Sequence, residues 1–291
     1  MLARGNKNAD PTGRFEKLDT LLTCHTNVVS YKAYDRETGM EVSWFEVNVV
    51  DYTPTQRQQL LVTAARFMNL RCKEILAVLH YWEDFENNIF YFVTETINTS
   101  SIANVIVDFG PKLKPKLIAK WFIQILSGLQ YLHEQDPPIS HLKITAKEIF
   151  IKTQSRVLKL QPPILDPFAF NIGDNYLKIR NNTPPEYLYN QYNRESDIWM
   201  VGCLMLTLAT GLEPYSSLKT PFLFINALKN EIPPTEIDQI DDPLLQSLIR
   251  SCFQPSTKRP KARELLEHPF FHQQFPDNLP LQQDPTFEVL L

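Results

Sequence analysis

Short runs rich in β-branched and aromatic residues dominate the first third of the chain and predict strands. The predicted strands are Phe15 to Leu22, Asn27 to Tyr34, Met40 to Val47, Ile75 to Trp82 and Ile89 to Thr94. Asp35 to Gly39 is typical of a hairpin turn between the second and third strands. Apolar residues then recur at helical spacing and predict one helix over Thr55 to Leu70, inserted after the third strand.

The rest of the chain has mainly helical periodicity. An apolar stripe predicts an amphipathic helix over Lys114 to Gln135. Ile198 to Thr210 is apolar on nearly all faces, which predicts a buried helix that Gly211 ends. Either Ser196 or Asp197 can cap the start of that helix. Further helices are predicted at 221–229, 243–253 and 261–267, and short strands at 148–151 and 157–160.

Composition is ordinary for a globular protein except in its glycine content. The 291 residues are 43% hydrophobic and 21% charged, enough for a large core in one domain or two lobes. There are 8 glycines against 22 prolines, where average usage predicts about 20 glycines. The deficit argues against a function that depends on a glycine-rich phosphate loop.

Charge and cysteine usage exclude several classes of protein. The net charge of -4 gives no global case for binding nucleic acid or a membrane surface. The apolar run from Ile198 to Leu206 is too short to span a bilayer, and the N-terminus lacks the apolar region of a signal peptide. Four scattered cysteines disfavour a zinc site or disulfide scaffold and predict a cytoplasmic protein.

Three motifs in the second half occur in the order and with the spacing of a protein kinase domain. Pro184-Pro-Glu186 resembles the Ala-Pro-Glu motif that closes a kinase activation segment, and Asp197-Ile-Trp-Met-Val-Gly202 resembles the start of its central buried helix. Lys258-Arg-Pro260, followed by Glu264 to Phe271, resembles its last helix. The resemblance implies an α+β, two-lobed protein kinase-like fold, with a small five-stranded antiparallel N-lobe carrying one helix and a larger helical C-lobe.

Other segments narrow the resemblance to one branch of the kinases. Arg14 to Asp19, Asp35 to Glu46 and Gly128 to Ile139 are similar to the WNK ("with no lysine") kinases and to the related nuclear-receptor-binding-protein pseudokinases. This resemblance implies serine/threonine-kinase ancestry. Together with the pattern of elements it predicts a flexible N-terminus at 1–13, an N-lobe at 14–96, a C-lobe at 97–275 and a C-terminal tail at 276–291.

The loop that covers the nucleotide phosphates in a kinase lacks its glycines here. Glycine is used there because side chains hinder the approach of the backbone to phosphate. In the alignment with the family, Thr23, His25 and Val28 stand at the three glycine positions. The WNK family places its unusual lysine in this loop, and the same alignment puts Val28 at that position.

The ion pair that positions the phosphates in a kinase is missing on both sides. Phe45 aligns with the lysine of the third strand, and Thr63 aligns with the glutamate of the inserted helix. The loss of both halves is self-consistent, because a lone buried charge would be costly.

The kinase catalytic loop aligns with His141 to Glu148 without a gap. Leu142 replaces the loop arginine, and Lys143 replaces the catalytic aspartate. Thr145 replaces the loop lysine, and Glu148 replaces the metal-binding asparagine. Two interpretations of the new charges stay open: Lys143 and Glu148 pair with each other, or both are solvated loop charges.

The magnesium motif of a kinase is also altered. Pro162 stands at the position of the metal-binding aspartate, and proline cannot bind Mg²⁺ through its side chain. Asp166, a few residues further on, is either a displaced ligand or an ordinary exposed loop residue. We therefore expect no metal site.

Thr94 to Thr96 resembles the hinge whose backbone binds adenine in a kinase. Thr94, Glu95 and Thr96 are thus candidates for nucleotide binding, because backbone groups can bind adenine whatever the side chains are. Without phosphate and metal ligands the charge-assisted bonds to a nucleotide are lost. The sequence predicts neither ATP nor Mg²⁺ as a cofactor.

Three retained residues are predicted to have architectural roles. Glu186 and Arg259 resemble a buried ion pair that ties the end of the activation segment to the last helices. Asp197 resembles the aspartate that accepts hydrogen bonds from the backbone of the catalytic loop. His141 is expected to pack under that loop as a structural residue.

These substitutions together predict a catalytically inactive protein of kinase ancestry, a pseudokinase that is not an enzyme. Its expected role is a scaffold or allosteric regulator in signalling, and the expected partners are other signalling proteins, an active kinase among them. Two alternatives stay open: an atypical ATP-dependent kinase that uses Glu148 or Asp166 for metal, and a switch that binds nucleotide without turnover.

Overall fold

The computed structural model describes residues 8–24, 27–96, 100–110, 112–152, 155–162 and 180–276. These residues divide into two compact units. The N-lobe holds the described residues up to Thr96 together with Pro162, and the C-lobe holds those from Ser100 to Gln161 and from Arg180 onward.

The N-lobe is a five-stranded antiparallel sheet with one helix, so the prediction from the sequence pattern is confirmed. Its elements are β1 (Phe15–Cys24), β2 (Val28–Asp35), β3 (Glu41–Asn48), α1 (Pro54–Met68), β4 (Val78–Asp84) and β5 (Ile89–Glu95). The strands lie in the order β1-β2-β3-β5-β4, so β5 pairs with both β3 and β4. Successive residues of a strand face opposite sides of a sheet, which separates Trp44 from Phe45.

The face of the sheet that includes Trp44 is packed with aromatic and aliphatic side chains. Phe15, Trp44 and Val93 are buried in it. Trp82 stacks parallel to Tyr91 with ring centroids 4.9 Å apart, and the edge of Trp44 meets the Trp82 ring at 4.7 Å. Because aromatic rings bury large apolar areas, this cluster is a main source of cohesion between the strands.

Helix α1 begins at a capping box and buries one stripe. The Thr53 hydroxyl accepts a hydrogen bond from the Gln56 N–H, and the Gln56 side chain accepts one from the Thr53 N–H. These bonds satisfy two of the backbone donors at the start of the helix. Leu60, Ala64 and Phe67 are buried at helical spacing and hold α1 to the lobe.

A buried acid closes the turn before β1, in the part of the predicted flexible N-terminus (1–13) that the structure describes. Asp10 is 4% exposed, and its carboxylate accepts hydrogen bonds from the backbone N–H groups of Thr12 and Phe15. Burial by itself would raise the pKa of Asp10, but these hydrogen bonds outweigh it and lower the pKa. This buried acid caps the turn that precedes β1.

The C-lobe is mainly helical, with seven helices in its described residues. The helices are α2 (Ile102–Phe109), α3 (Pro115–His133), α4 (Arg194–Thr210), α5 (Pro221–Lys229), α6 (Pro243–Cys252), α7 (Ala262–Leu266) and α8 (Pro269–Gln274). A small antiparallel sheet contains, in order, β6 (Ser100–Ser101), β7 (Ile149–Ile151) and β8 (Leu158–Leu160). Two 3₁₀ turns span Pro185–Tyr189 and Thr235–Gln239. Among the helices of the described residues, none has the length and apolar character of a membrane span.

Helix α4 is buried on nearly all faces, as its apolar sequence predicts. Its cap differs from the prediction: Asn193 is the N-cap, and its side chain accepts a hydrogen bond from the Ser196 N–H at 3.0 Å. Ser196 and Asp197 lie inside the helix, where both are fully buried. The polar first turn therefore belongs to the helix and brings two polar side chains into the core.

Two glycines determine where α4 ends and how closely it packs on α6. Gly211 has a φ of +80°, a left-handed conformation that glycine adopts at helix ends, so its predicted role is confirmed. A Cβ atom on Gly202 would lie 2.6 Å from the Cβ of Cys252 in α6. Only glycine permits this approach of the two helices.

Helices α2 and α8 are absent from the elements that the sequence predicts. Helix α2 is rich in valine and isoleucine, which favour strands, and it depends on the Ser101 hydroxyl, which accepts a hydrogen bond from the Asn104 N–H. Helix α8 has six residues, too few for an apolar period to repeat.

Candidate functional site

Val28, aligned with the third glycine of the phosphate loop, is the first residue of β2. It is 6% exposed and pairs with Val47 of β3. The side chain of Thr23 and all of His25, at the other two glycine positions, lie outside the described residues. At the one position that is described, a branched apolar side chain stands in place of glycine.

Phe45, at the position of the third-strand lysine, is 3% exposed. It lies opposite Phe92 in the β3–β5 ladder, and the two rings stack in parallel with centroids 4.6 Å apart. Aromatic pairs of this kind contribute about 0.5–1.5 kcal/mol beyond the area that they bury. The position therefore contributes packing, and it offers no cation to a phosphate.

Thr63, at the position of the partner glutamate, is hydrogen-bonded within its own helix. Its hydroxyl donates to the Gln59 carbonyl at 2.8 Å, one turn earlier in α1. This bond is the usual way in which a threonine within a helix satisfies its hydroxyl. Both members of the kinase ion pair are thus replaced by neutral side chains that have other partners.

The predicted hinge residues bond within the N-lobe. Thr94 is fully buried, and its hydroxyl donates to the Glu95 carbonyl at 2.9 Å. The Glu95 carboxylate accepts a hydrogen bond from the Ala77 N–H at 3.0 Å, and the Thr96 hydroxyl donates to the Glu41 carbonyl. Each of the three predicted hinge residues therefore has a hydrogen-bond partner in its own lobe.

The start of the catalytic loop is held by Asp197, which projects from the first turn of α4 and is fully buried. Its carboxylate accepts hydrogen bonds from the His141 N–H at 2.8 Å and from the Leu142 N–H. It is also bonded to Nε2 of His133, on the last turn of α3, at 2.8 Å. Leu142 has a φ of +60°, and this left-handed conformation is uncommon for a residue with a side chain.

His141 lies fully buried under the loop. Its Nδ1 atom accepts a hydrogen bond from the Lys143 N–H at 3.3 Å. Burial lowers the pKa of His141, although the nearby Asp197 and Glu148 carboxylates act in the opposite direction. A neutral imidazole with its Nδ1 atom as acceptor supports the backbone of the residue that follows.

Lys143 and Glu148 meet on this loop. The Lys143 ammonium lies 3.1 Å from Oε1 of Glu148, and each side chain is 21% exposed. A tight turn brings the two together, in which the Glu148 N–H donates to the Thr145 carbonyl at 3.1 Å. Of the two interpretations that the sequence leaves open, the structure has the ion pair.

The described residues contain no cluster of three or more His, Cys, Asp or Glu side chains that could hold a metal ion. Pro162 is buried, and Asp166 lies outside the described residues. Magnesium bound to a nucleotide does not need such a cluster, because it takes one or two protein carboxylates together with phosphate oxygens. Glu148 can supply one such carboxylate, so the residues present are compatible with the ion.

Glu186 and Arg259 form a buried ion pair in the C-lobe. The guanidinium donates to Oε1 of Glu186 at 2.7 Å, and the side chains are 0% and 5% exposed for Arg259 and Glu186. The Ser196 hydroxyl also donates to Glu186, at 2.8 Å. Arg259 donates further to the Glu195 carbonyl and lies 5.1 Å from the centre of the Trp199 ring. Full pairing of this kind is what makes a buried charge tolerable.

His133 is the site residue that sequence reasoning missed. It stands four residues after Leu129 on the buried stripe of α3, so a polar side chain on an apolar stripe was the available signal. It also lines a cavity of about 410 Å³ in the C-lobe, between the end of α3, the start of α4 and α7. None of the predicted site residues in the described chain lines this cavity.

A five-stranded sheet with one helix, a helical C-lobe and a loop held by a buried aspartate together define a protein kinase domain. The protein kinase domain family matches residues 25–271, and the chain belongs to that family. The match confirms the two-lobed α+β fold class.

Curated relatives place the domain near the WNK kinases. Serine/threonine-protein kinase WNK8 of Arabidopsis thaliana is 29% identical over 268 residues, which cover 90% of this chain and 47% of the relative. Probable serine/threonine-protein kinase WNK5 of Oryza sativa subsp. japonica is 27% identical over 270 residues, covering 91% and 82%. Serine/threonine-protein kinase WNK3 of Mus musculus is 29% identical over 268 residues, covering 90% and 15%. The domain is WNK-like, and the chain spans about half the length of the first of these relatives.

These relatives correct two predictions from the sequence. They are named as serine/threonine-protein kinases, which are enzymes, so the prediction that the chain is not an enzyme is wrong. Protein kinases transfer phosphate from ATP with the help of Mg²⁺, so the prediction of neither cofactor is wrong as well. Both predictions rested on the residue types that replace the catalytic aspartate, the lysines and the metal ligands of a kinase.

Proposed function

We propose that the chain is an ATP-dependent serine/threonine protein kinase of WNK-like type with an atypical catalytic loop. The observation that carries the proposal is the ion pair between Lys143 and Glu148, at 3.1 Å, on a loop whose backbone Asp197 holds. Phosphoryl transfer depends mainly on positioning and on electrostatic stabilisation of phosphate charge. The pair offers one cation and one carboxylate for that task.

Each member of the pair has a chemical role in this proposal. The Lys143 ammonium is a point charge for a phosphate oxygen, a role that Phe45 cannot fill. Glu148 is a carboxylate for Mg²⁺, which would neutralise part of the phosphate charge when bound. The fixed backbone at His141 and Leu142 keeps the loop in place while these contacts form.

The wider biological setting is part of the same proposal. A serine or threonine hydroxyl of another signalling protein is the acceptor, and the cytoplasm is the compartment. The N-lobe at 14–96 and the C-lobe at 97–275 are the proposed units of the enzyme. The family match and the names of the relatives support this assignment.

Phosphate transfer by the full chain tests the proposal. We expect transfer from ATP to a protein substrate with Mg²⁺ or Mn²⁺ present, and we expect Glu148→Gln and Lys143→Met each to lower the rate about a hundredfold, the usual effect of removing one electrostatic group. Glu267→Gln is the matched control, because Glu267 is an exposed carboxylate of the same lobe. It should leave the rate unchanged.

Thermal melting distinguishes a chain that does not bind ATP from one that binds ATP without transferring phosphate. ATP with metal should raise the melting temperature, because a bound ligand stabilises the folded state. Absence of both transfer and stabilisation would overturn the kinase assignment. Stabilisation without transfer would replace it with a nucleotide-gated switch.

A further inference from the structure

The cavity that His133 lines in the C-lobe has no part in the chemistry proposed above. Its volume is about 410 Å³, and it lies between the end of α3, the start of α4 and the start of α7. Small-molecule sites in proteins have volumes of about 300–1,000 Å³. The space is therefore large enough for a small organic ligand.

One buried side chain of the lining has a ring nitrogen that a ligand can use. His133 is 8% exposed, and its Nε2 atom lies 2.8 Å from the Asp197 carboxylate. Because Asp197 also accepts hydrogen bonds from two backbone N–H groups, it is an acceptor here, and Nε2 carries the hydrogen of their shared bond. The other nitrogen of a neutral imidazole, Nδ1, is then an acceptor. Within the described part of the chain, Nδ1 of His133 has no donor, and the cavity leaves room for one.

Unpaired charges of both signs surround the same space. Lys261 and Arg263 are exposed cations, and Glu134 and Glu264 are exposed carboxylates. Glu134 accepts a hydrogen bond from the Gln130 amide, and Glu264 accepts one from the Lys261 N–H. Among the described residues, none of the four charged groups has an ion-pair partner. A ligand with charges of both signs would compensate them, whereas a simple anion or cation would be repelled by one of the two kinds.

We propose that this cavity binds a free basic amino acid with the chemistry of arginine. Its guanidinium donates to Nδ1 of His133 and to the carboxylate of Glu134, the next residue in the chain. A guanidinium has five N–H donors in a planar fork, so it can donate to both acceptors at once. The α-carboxylate of the ligand pairs with Lys261, and its α-ammonium pairs with Glu264. This proposal does not depend on the kinase assignment, because binding needs no phosphate transfer.

Isothermal titration calorimetry of the full chain with L-arginine tests the proposal. We expect a dissociation constant of about 1 mM or below, as for other small ligands with several charged contacts. L-citrulline is the matched ligand, because it has the shape of arginine with a neutral urea in place of the guanidinium. It should bind about tenfold more weakly, since a charge-assisted hydrogen bond is lost. No binding of arginine, or equal binding of citrulline, would overturn the proposal.

Substitutions at the two ends of the cavity test the orientation of the ligand. Glu134→Gln should weaken arginine binding about tenfold. Lys261→Met should weaken it by a similar factor and leave the binding of agmatine unchanged, because agmatine lacks the carboxylate. Glu231→Gln is the control: Glu231 is exposed in the same lobe and does not line the cavity, so the affinity for arginine should stay the same. Equal weakening of arginine and agmatine by Lys261→Met would overturn the proposed binding mode.

The ¹⁵N spectrum of the histidine rings tests the contact at His133, whose signals His133→Gln identifies by their absence. Arginine should shift the Nδ1 signal of His133, and citrulline at the same concentration should shift it less. An unchanged Nδ1 signal at saturating arginine would overturn the proposal. N-acetyl-arginine methylamide presents the side chain as a protein does, without the free carboxylate and ammonium. Binding of this compound as tight as that of arginine would overturn the free amino acid in favour of an arginine of a partner protein.

Discussion

The two lobes differ in how they replace the charged residues of a kinase site. In the N-lobe, Phe45 and Thr63 stand where a lysine and a glutamate would pair, and a ring stack with Phe92 fills the space. In the C-lobe, Lys143 and Glu148 bring a new ion pair to a loop that lacks its aspartate and asparagine. One lobe is neutral at these positions, and the other has one charge of each sign.

The difference teaches how a site can change without loss of the fold. A charge that is removed from water is tolerable only with a partner: the N-lobe has neither charge of its pair, and the partly exposed charges of the C-lobe loop pair with each other. The Asp197 carboxylate fixes the loop through backbone N–H groups at His141 and Leu142. Because these bonds do not involve loop side chains, the side chains could change while the loop kept its shape.

The largest expected effect is on the buried pair of the C-lobe. Replacing Arg259 with methionine should lower the free energy of unfolding by about 4 kcal/mol, because Glu186 would stay buried without its cation. Urea denaturation of the full chain measures this. The double variant Glu186→Met, Arg259→Met should recover a large part of the loss, since removal of both charges is often nearly neutral. A double variant less stable than the single one would contradict this account.

The contrast between the lobes predicts that a charged residue in place of Phe45 destabilises the protein. Phe45→Lys should lower the free energy of unfolding by about 3 kcal/mol, because the ammonium would be buried without a partner and the ring stack would be lost. Phe45→Leu is the control, and its cost should be about 1 kcal/mol. If urea denaturation shows equal stability for the two variants, the position accepts a cation and the contrast between the lobes disappears.

The smallest expected effect is a pH dependence of the C-lobe. Burial holds the pKa of His141 below its ordinary 6.5, so the unfolded chain takes up a proton there while the folded chain does not. Stability is then complete above about pH 6.5 and falls by about 1.4 kcal/mol per pH unit below it. His141→Gln should lack this slope in urea denaturation across that range. Burial also lowers the pKa of His268, but His268 remains in both proteins, so the difference reports His141 alone. Parallel pH profiles would contradict this account, because they would show that folding leaves the pKa of His141 unchanged.

The strands and the long helices could be predicted from the sequence, but their starts could not always be. The fourth strand is predicted from Ile75, yet β4 begins at Val78. Ile75 and Leu76 are buried ahead of the strand, and an apolar run reports burial whether or not it lies within a strand. Helix α4 begins at Arg194 for the converse reason, because its first turn is polar and shows no apolar period.

The sequence predicts which positions form the candidate site, but it does not predict which of their side chains contact one another. Alignment with a kinase identifies Lys143 and Glu148, yet it leaves open whether residues five apart in a loop meet or face solvent. The turn closed by the Glu148 N–H on the Thr145 carbonyl decides this, and such a turn has no strong sequence signal without glycine or proline. The bond between His133 and Asp197 could not be predicted, because the sequence pattern marks His133 only as a polar residue on an apolar stripe and names no partner for it.

The left-handed backbone of Leu142 has one more consequence. Two successive N–H groups, those of His141 and Leu142, converge on a single carboxylate. Converging backbone N–H groups of this kind form a nest, a concavity that binds external anions in many other proteins. Here the protein supplies the anion from its own helix α4. The anion-binding position of the catalytic loop is therefore already filled by the Asp197 carboxylate.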